Sequence, residues 1–294
     1  MSHPDAWTIK RLLTWTTDYL KQRGSETPRL DAEILLAEAI GCDRIELYTS
    51  FEEEPGEAAR DRFRGSVKRR AAGEPVAYIV GKKEFYSLTF SVNRHVLIPR
   101  PETELLVVES LDYLKRLSLE KAPVFGCDVG TGSGAIAVAL LRHAPKLQMT
   151  AIDRSGEALE VARNNAREHD VAGRVEWREG DLMGDMAEEP TFHLIVSNPP
   201  YVSRREYQEL PAEVKEYEPK TALEAGPTGT ELIERLLPQA LPRLFPGGAL
   251  LVEISPMIVD RVVRLFEHQG GFEEIRVVKD LSQRPRVVMA RRRS

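Results

Sequence analysis

The 294-residue chain has only two cysteines, Cys42 and Cys127, and they lie far apart. So few thiols exclude a disulfide framework and a cysteine-built metal cluster, and they make a reducing, cytoplasmic setting the expectation. No apolar run reaches the length needed to span a membrane, and Met1–Lys10 lacks the apolar core of a signal peptide. No membrane association is therefore expected. Basic charge is not in excess either. With 41 Lys and Arg against 46 Asp and Glu, the net charge is −5, which argues against stable nucleic-acid binding, because a long nucleic-acid footprint rests on clustered cations. The chain shows no internal repeat, no low-complexity segment and no metal-ligand spacing. A hydrophobic content of 42% and a charged content of 30% are those of an ordinary globular protein, long enough for two domains.

Residues 1–83 read as a small helical bundle. Trp7, Leu12, Leu13, Trp15 and Leu20 recur near helical spacing, and residues 31–40 form an amphipathic helix stopped by Gly41. A third helix, beginning at Gly56 or Glu57 and ending near Ala72, carries Arg60, Arg62, Arg64, Lys68, Arg69 and Arg70. This row is either a solvated helix face or a docking patch for an RNA-containing or acidic partner. Residues 1–85 hold 14 Lys and Arg against 15 Asp and Glu, so the segment as a whole is near neutral. Residues 84–99 are predicted to form a β-hairpin linker, with one strand over 85–92, a turn at Asn93-Arg94-His95 and a second strand over 96–98. Pro101 then suits the first turn of a helix.

From Val124 onward strand and helix patterns alternate. Strands are expected over 124–129, 148–153, 175–180, 191–197 and 248–254, with helices over 135–143, 156–169 and 256–268. Two closing strands, at 275–278 and 286–289, lie close enough to form an antiparallel edge hairpin. The pattern predicts an α/β fold over residues 100–294, with a mostly parallel sheet covered by helices on both faces.

Two stretches carry chemistry. The first is Gly130-Thr131-Gly132-Ser133-Gly134, directly after the first strand of that sheet. Glycines let the chain turn sharply and let a ligand approach the backbone closely, although a plain tight turn has the same composition. Asp153 closes the next strand, 153 − 134 = 19 residues after the last glycine, an offset that suits ribose hydroxyls; its competing role is a helix cap. Asp181 closes the third strand and is placed either to reach an adenine amino group or to cap a loop. The spacing is not that of a dinucleotide fingerprint, and no Lys follows as in a phosphate-binding loop. A turn flanked by acids without a nearby cation suits a ligand without phosphates, and S-adenosyl-L-methionine is one. Asp128 is placed to bind its ammonium group, directly or through water, or to cap the turn.

The second stretch is Asn198-Pro199-Pro200-Tyr201. Four apolar residues precede it as a buried strand, and two prolines then end the strand, since neither has an N–H for the ladder. In open α/β sheets ligands bind outside the carboxyl ends of the strands, where this stiff loop presents an amide. The nitrogen of a planar amide is a poor nucleophile. The Asn198 side-chain oxygen and the Pro199 carbonyl can accept its two N–H groups, and Tyr201 can stack on its plane, so catalysis is by positioning rather than by a strong base.

These segments together identify a resemblance. Glu84-Phe-Tyr86, Val96 to Glu104 with its Pro-Arg-Pro-Glu-Thr-Glu ending, Asp128 to Ile136, Val196 to Tyr201, Tyr217-Glu-Pro219 and the closing Asp280-Leu with Arg286-Val-Val resemble the HemK/PrmC family. Its members are protein-(glutamine-N5) methyltransferases acting on peptide chain release factors. The resemblance implies a Rossmann-like class I S-adenosylmethionine-dependent methyltransferase domain behind a helical substrate-docking domain. It implies a cofactor site around Gly130, Gly132, Gly134, Asp153 and Asn198, with Leu182 beside the adenine, and a glutamine held by residues 198–201. The product would be S-adenosyl-L-homocysteine, with no metal, in a cytoplasmic monomer. One departure is Ser255-Pro256 after Glu253-Ile254, where the family has Gly.

The same loop also serves the exocyclic amino group of adenine or cytosine, so a DNA or RNA adenine-N6 or cytosine-N4 methyltransferase is the alternative. Such an enzyme must flip a base and grip a strand, and the chain shows neither a basic channel nor a target-recognition region. A non-catalytic adenosyl-binding module and a Rossmann oxidoreductase fit less well. The first would not need the whole Asn-Pro-Pro-Tyr loop, and the second has a different glycine spacing.

Overall fold

The computed structural model describes residues 6–117 and 123–294. The first five residues of the expected helical domain lie outside this range. By backbone contacts the chain divides into two compact units, one of Met1–Gly81 with Ala212–Tyr217, the other of Lys82–Pro211 with Glu218–Ser294. The strands are β1 (Lys82–Phe85), β2 (Leu88–Ser91), β3 (Val124–Val129), β4 (Leu147–Asp153), β5 (Val175–Glu179), β6 (Phe192–Ser197), β7 (Val202–Ser203), β8 (Glu224–Gly226), β9 (Leu244–Glu253), β10 (Phe272–Lys279) and β11 (Pro285–Arg292). The helices are α1 (Ile9–Gln22), α2 (Pro28–Ile40), α3 (Glu46–Thr49), α4 (Glu57–Ala71), α5 (Val76–Val80), α6 (Glu104–Arg116), α7 (Ala135–His143), α8 (Gly156–Glu168), α9 (Arg204–Glu209), α10 (Ala212–Tyr217), α11 (Glu231–Arg243) and α12 (Val259–Gln269).

In the helical unit, Leu13, Leu20, Leu35, Leu36, Leu47, Phe63 and Val67 form the core. Most of the cationic row of α4 is engaged within its own unit. Arg62 donates to the Ala39 carbonyl at 2.8 Å, Arg64 pairs with Asp61, and Arg69 forms a two-pronged pair with Glu74. Arg70 reaches buried Asp31 at 2.7 Å and Glu213 of α10 at 2.6 Å. These pairings favour the solvated, self-neutralised face over a cationic docking patch.

The second unit is built on a seven-stranded sheet in the order β10-β11-β9-β6-β3-β4-β5. Strands β9, β6, β3, β4 and β5 run parallel, and β11 pairs antiparallel with both β9 and β10. Central strands covered on both faces read as continuous apolar runs, and alternate residues of β6 and β9 show why. Leu194, Val196, Ala249 and Leu251 pack with α6 and α7 on one face, while Ile195, Leu250 and Val252 pack with α11 and α12 on the other. The chain winds from β3 outward to β5 and then crosses to β6 on the other side of β3. The reversal of strand order, where such sheets bind ligands, therefore lies between β3 and β6.

One local expectation is corrected. The hairpin pairs β1 with β2 and turns at Tyr86-Ser87, not at residues 93–95. Both turn residues have positive φ, 49° and 58°, as a two-residue primed turn requires. Tyr-Ser is an unusual pair for that turn, so the sequence hides it. Buried Phe85 and Phe90 and an N–H of Tyr86 bonded to Glu104 (2.9 Å) repay the strain. Residues 96–98 form an extended loop instead of a strand. Helix α11 has no counterpart among the expected elements. Pro238 and Pro242 lie inside it and mark the stretch as broken, since a mid-helix proline costs about 3 kcal/mol. Burial of Ile233, Leu236, Leu237 and Ala240 offsets that cost.

Asn165 on α8 was not singled out from sequence. It is fully buried, accepts the Ser91 N–H at 2.7 Å, and donates to the carbonyls of Ser91 (3.0 Å) and Ser133 (2.8 Å). One side chain thus ties the hairpin to the glycine turn. Buried groups left unpaired cost about 1–3 kcal/mol each. Asn165→Ala is expected to lower unfolding free energy by about 3 kcal/mol, measured by urea denaturation.

Candidate active site

Register brings the two chemical stretches together. Val129, the last residue of β3, pairs with Ser197, the last of β6, and with Ile152 of β4; Ser197 also pairs with Val252 of β9. One step further on, Gly130, Asn198, Asp153 and Glu253 all stand at the carboxyl edge of the sheet.

The glycine turn has left-handed backbone at Gly130 (φ 76°) and Gly132 (φ 55°), and nothing lies within 4 Å of where a Cβ would sit on either. At Gly134 a Cβ would meet Ala162 of α8 at 3.1 Å, so this glycine serves the close packing of α7 on α8. Asp153 accepts the Gly132 N–H at 2.8 Å and the Ser155 N–H at 3.0 Å. The cap of α8 is Ser155, whose hydroxyl accepts from Ala158. Asp128 is fully buried. One of its oxygens accepts from the Thr131 hydroxyl (2.7 Å) and the Ala137 N–H (3.2 Å), while Oδ1 has no partner among the described residues. Its place is under the turn, not on the cavity wall.

One cavity is lined by Gly130, Thr131, Gly132, Ser133, Asp153, Asp181 and Leu182, and also by Asn198, Pro199 and Pro200. Leu182 has a positive φ of 60° and turns its backbone at the wall. Asp181 is exposed and pairs with Arg235 of α11. Cations are not absent from this cavity, contrary to the sequence expectation, because Arg100 and Arg154 also line it. Arg100 is neutralised by Glu218 at 2.5 Å, and the same buried carboxylate accepts the Ile98 N–H at 3.2 Å. Glu218 thereby fixes the loop that carries His95, Val96 and Leu97 into the wall. That loop and Thr103 were missed as site residues, although they fall in the Val96–Glu104 segment that carries the family resemblance.

Tyr201 is placed differently from expectation. Its ring packs against the core shared with α11 and α12, and its hydroxyl donates to Glu253 at 3.3 Å; it is not among the cavity-lining residues. The Tyr201 hydroxyl is held well above its usual range by burial and by Glu253. Asn198 donates from Nδ2 to the Thr103 hydroxyl at 3.1 Å.

Two buried carboxyls titrate abnormally. Burial pushes Asp128 up to about 7, helped by nearby Asp153 and opposed by the Thr131 and Ala137 bonds. Burial likewise pushes Glu253 up to about 7, against the bonds from Thr103 and Tyr201, with Glu102 raising and Arg286 lowering it. The folded state then keeps protons that the unfolded chain has released. Stability from these groups is complete below the ordinary carboxylate range and is lost as pH rises to 7 and beyond. At 1.36 kcal/mol per unit, each is worth on the order of 3 kcal/mol. Urea denaturation is expected to give a lower unfolding free energy at pH 8 than at pH 5.5; a flat or rising trend would contradict it.

Over 288 residues the chain is 50% identical to a release factor glutamine methyltransferase of Rhodopirellula baltica, covering 98% of this chain and 97% of that protein. The chain belongs to the release factor glutamine methyltransferase family. A second relative so named, from Geobacter sulfurreducens, is 40% identical over 267 residues, with 91% of each chain covered. The PrmC N-terminal domain matches residues 11–81, and the methyltransferase small domain matches residues 110–214. Among solved structures, the hMettl16 catalytic domain in complex with a MAT2A 3′UTR hairpin aligns with a TM-score of 0.56 at 15% identity, covering 77% of this chain and 81% of that one; this likeness is one of fold alone. The sheet is thus that of a class I methyltransferase, as the resemblance of the sequence to the HemK/PrmC family implied. Among the described residues, no group of three His, Cys, Asp or Glu side chains is placed to hold a metal ion. No described helix is long and apolar enough to cross a membrane.

Proposed function

We propose that the chain transfers a methyl group from S-adenosyl-L-methionine to the side-chain amide nitrogen (N5) of the glutamine in the Gly-Gly-Gln loop of class 1 peptide chain release factors. The observation that carries this reading is the shared cavity: the glycine turn with Asp153 forms one wall, and Asn198-Pro199-Pro200 forms another. The open space facing Gly130 and Gly132 is space that a side chain would fill, which fits a ligand lying against the backbone. In this reading Gly130, Thr131, Gly132, Ser133, Asp153, Asp181 and Leu182 hold the cofactor, with Gly134 holding the shape of the turn.

S-adenosyl-L-methionine would supply a methyl made electrophilic by its sulfonium: the new N–C bond forms as the S–C bond breaks, S-adenosyl-L-homocysteine leaves, and one amide proton is released to water. The residues of the chain supply alignment. Asn198 Oδ1 accepts one N–H of the glutamine amide, and the Pro199 carbonyl accepts the other. Two acceptors fix the NH₂ group in place, and the prolines hold the acceptors themselves. Alignment of this kind replaces entropy that a free encounter would have to lose. Pro200 contributes to the substrate wall, and Tyr201 acts from behind the loop. No metal is assigned to the step.

The names of the relatives support a release factor as the acceptor over the amino group of a nucleic-acid base, and a net charge of −5 agrees. The reading includes a cytoplasmic monomer that uses the helical unit to dock its protein substrate.

The test uses labelled S-adenosyl-L-methionine with three acceptors: a release factor, its Gln→Ala variant at the Gly-Gly-Gln loop, and duplex DNA. Label is expected in the first alone. Label in DNA but not in the factor would overturn the reading.

A further inference from the structure

The glycine turn after β3 makes one wall of the cavity, and α8 holds its shape from behind. Just before that helix, Asp153 accepts the Gly132 N–H at 2.8 Å. Ala162 backs Gly134, where a Cβ would sit only 3.1 Å away. Further along α8, Asn165 donates to the Ser133 carbonyl at 2.8 Å. Ser133 is buried and lines the cavity. The same amide holds the hairpin. It exchanges two bonds with Ser91 of β2, accepting the N–H at 2.7 Å and donating to the carbonyl at 3.0 Å, as a neighbouring strand would. One turn on, His169 Nε2 meets the Thr89 carbonyl at 2.7 Å. Beyond Ser91, the chain is next pinned where Glu218 accepts the Ile98 N–H. Between these two anchors lie His95, Val96 and Leu97, which form another part of the cavity wall.

Burial alone does not call for an amide at position 165. An apolar side chain would serve a core as well, and a buried amide costs free energy unless its groups are bonded. The oxygen of Asn165 is bonded, and its nitrogen donates to two carbonyls, all three bonds going to main chain. These bonds also fix its orientation, because only the oxygen can accept the Ser91 N–H and only the nitrogen can donate to carbonyls. An amide bonded in this way sets a distance. Ser133 of the glycine turn and Ser91 of the hairpin are held one carboxamide group apart.

We propose that Asn165 is a positioning residue for the cofactor site, spacing the glycine turn from the hairpin so that the cavity is shaped before its ligand arrives. The inference rests on the reading of the glycine turn as the cofactor wall in the preceding subsection. It adds a binding role to the stabilising one. A preformed wall spares the ordering cost that a loose loop adds to binding. Asn165 acts on the cofactor only through the main chain at Ser133.

The test compares the wild-type chain with Asn165→Ala and Val262→Ala. Val262 is fully buried in the core that α12 shares with α11, so its truncation lowers stability by leaving a cavity there without touching the turn. Each chain is measured for S-adenosyl-L-methionine affinity by calorimetry and, without ligand, for hydrogen exchange over residues 130–134. The N–H groups of Gly130, Thr131, Gly132 and Gly134 are bonded, so faster exchange reports opening of the turn. Asn165→Ala is expected to bind the cofactor about 5- to 20-fold more weakly. Its turn amides should exchange about tenfold faster than those of Val262→Ala. Val262→Ala is expected to bind within about twofold of wild type, its site being independent of the turn. If Asn165→Ala does not fold, Asn165→Ser carries the same expectations. Wild-type cofactor affinity in the Asn165 variant, an equal loss in Val262→Ala, or turn exchange no faster than in Val262→Ala would overturn the positioning role and leave the preceding reading intact. A wild-type chain that binds no S-adenosyl-L-methionine would overturn that reading, and the positioning role with it.

Discussion

Asn198→Ala is expected to slow methyl transfer to the release factor by about 10²- to 10³-fold, the loss typical of removing one preorganised electrostatic contact at a reacting group. The expectation comes from placement. Asn198 follows β6 at the switch point and lines the cavity beside the glycine turn. Its amino end is occupied by Thr103, so its oxygen is the group offered to a substrate. Alanine removes that acceptor and leaves the two prolines and the Pro199 carbonyl in place. Affinity for S-adenosyl-L-methionine should therefore change by less than about threefold, since the loss falls on the aligned state and not on uniform binding. Steady-state kinetics with calorimetry checks both halves; a variant with near-normal kcat would remove the two-acceptor mechanism.

The second large effect is expected at Asp153. Its two oxygens accept the N–H groups of Gly132 and Ser155, so it couples the turn after β3 to the start of α8 before any ligand is considered. Asp153→Asn keeps the size but turns an NH₂ toward one of those two donors. It also removes the charge that would strengthen bonds to ribose hydroxyls. Together these changes are expected to weaken S-adenosyl-L-methionine binding about 30- to 100-fold, or 2–3 kcal/mol, at roughly 1.4 kcal/mol per decade. Calorimetric affinity within twofold of wild type would remove Asp153 from the cofactor site.

The catalytic sheet is legible in the sequence because its strands are apolar runs that end in recognisable breakers. The glycines after β3, Asp153 after β4 and the prolines after β6 all mark the carboxyl edge where a ligand sits. What is illegible depends on side chains that act at a distance. Glu253 reads as the end of a strand, and Thr103 as one residue of a helix start. Thr103 meets the Asn198 amide, and Glu253 the Tyr201 hydroxyl, only in the folded chain. Asp128, with an acidic side chain next to the turn, reads as a possible ammonium partner, yet burial turns it inward to Thr131 and Ala137. Tyr201 is similar: aromatic and beside the substrate loop in sequence, it is drawn back by Glu253 and the core beneath it. Helix α11 is hidden for a different reason, because local proline chemistry points one way and burial of its apolar face the other.

The central claim is that the acceptor is the side-chain nitrogen of one glutamine. Peptide mapping by tandem mass spectrometry, after incubating the chain with S-adenosyl-L-methionine and an unmethylated release factor, tests it most directly. The account predicts one added methyl group, on the side-chain nitrogen of the glutamine in the Gly-Gly-Gln loop, and none when Asn198→Ala replaces the wild-type chain over the same interval. A methyl group on any other residue, or an unmodified factor alongside a methylated nucleic acid, would contradict it.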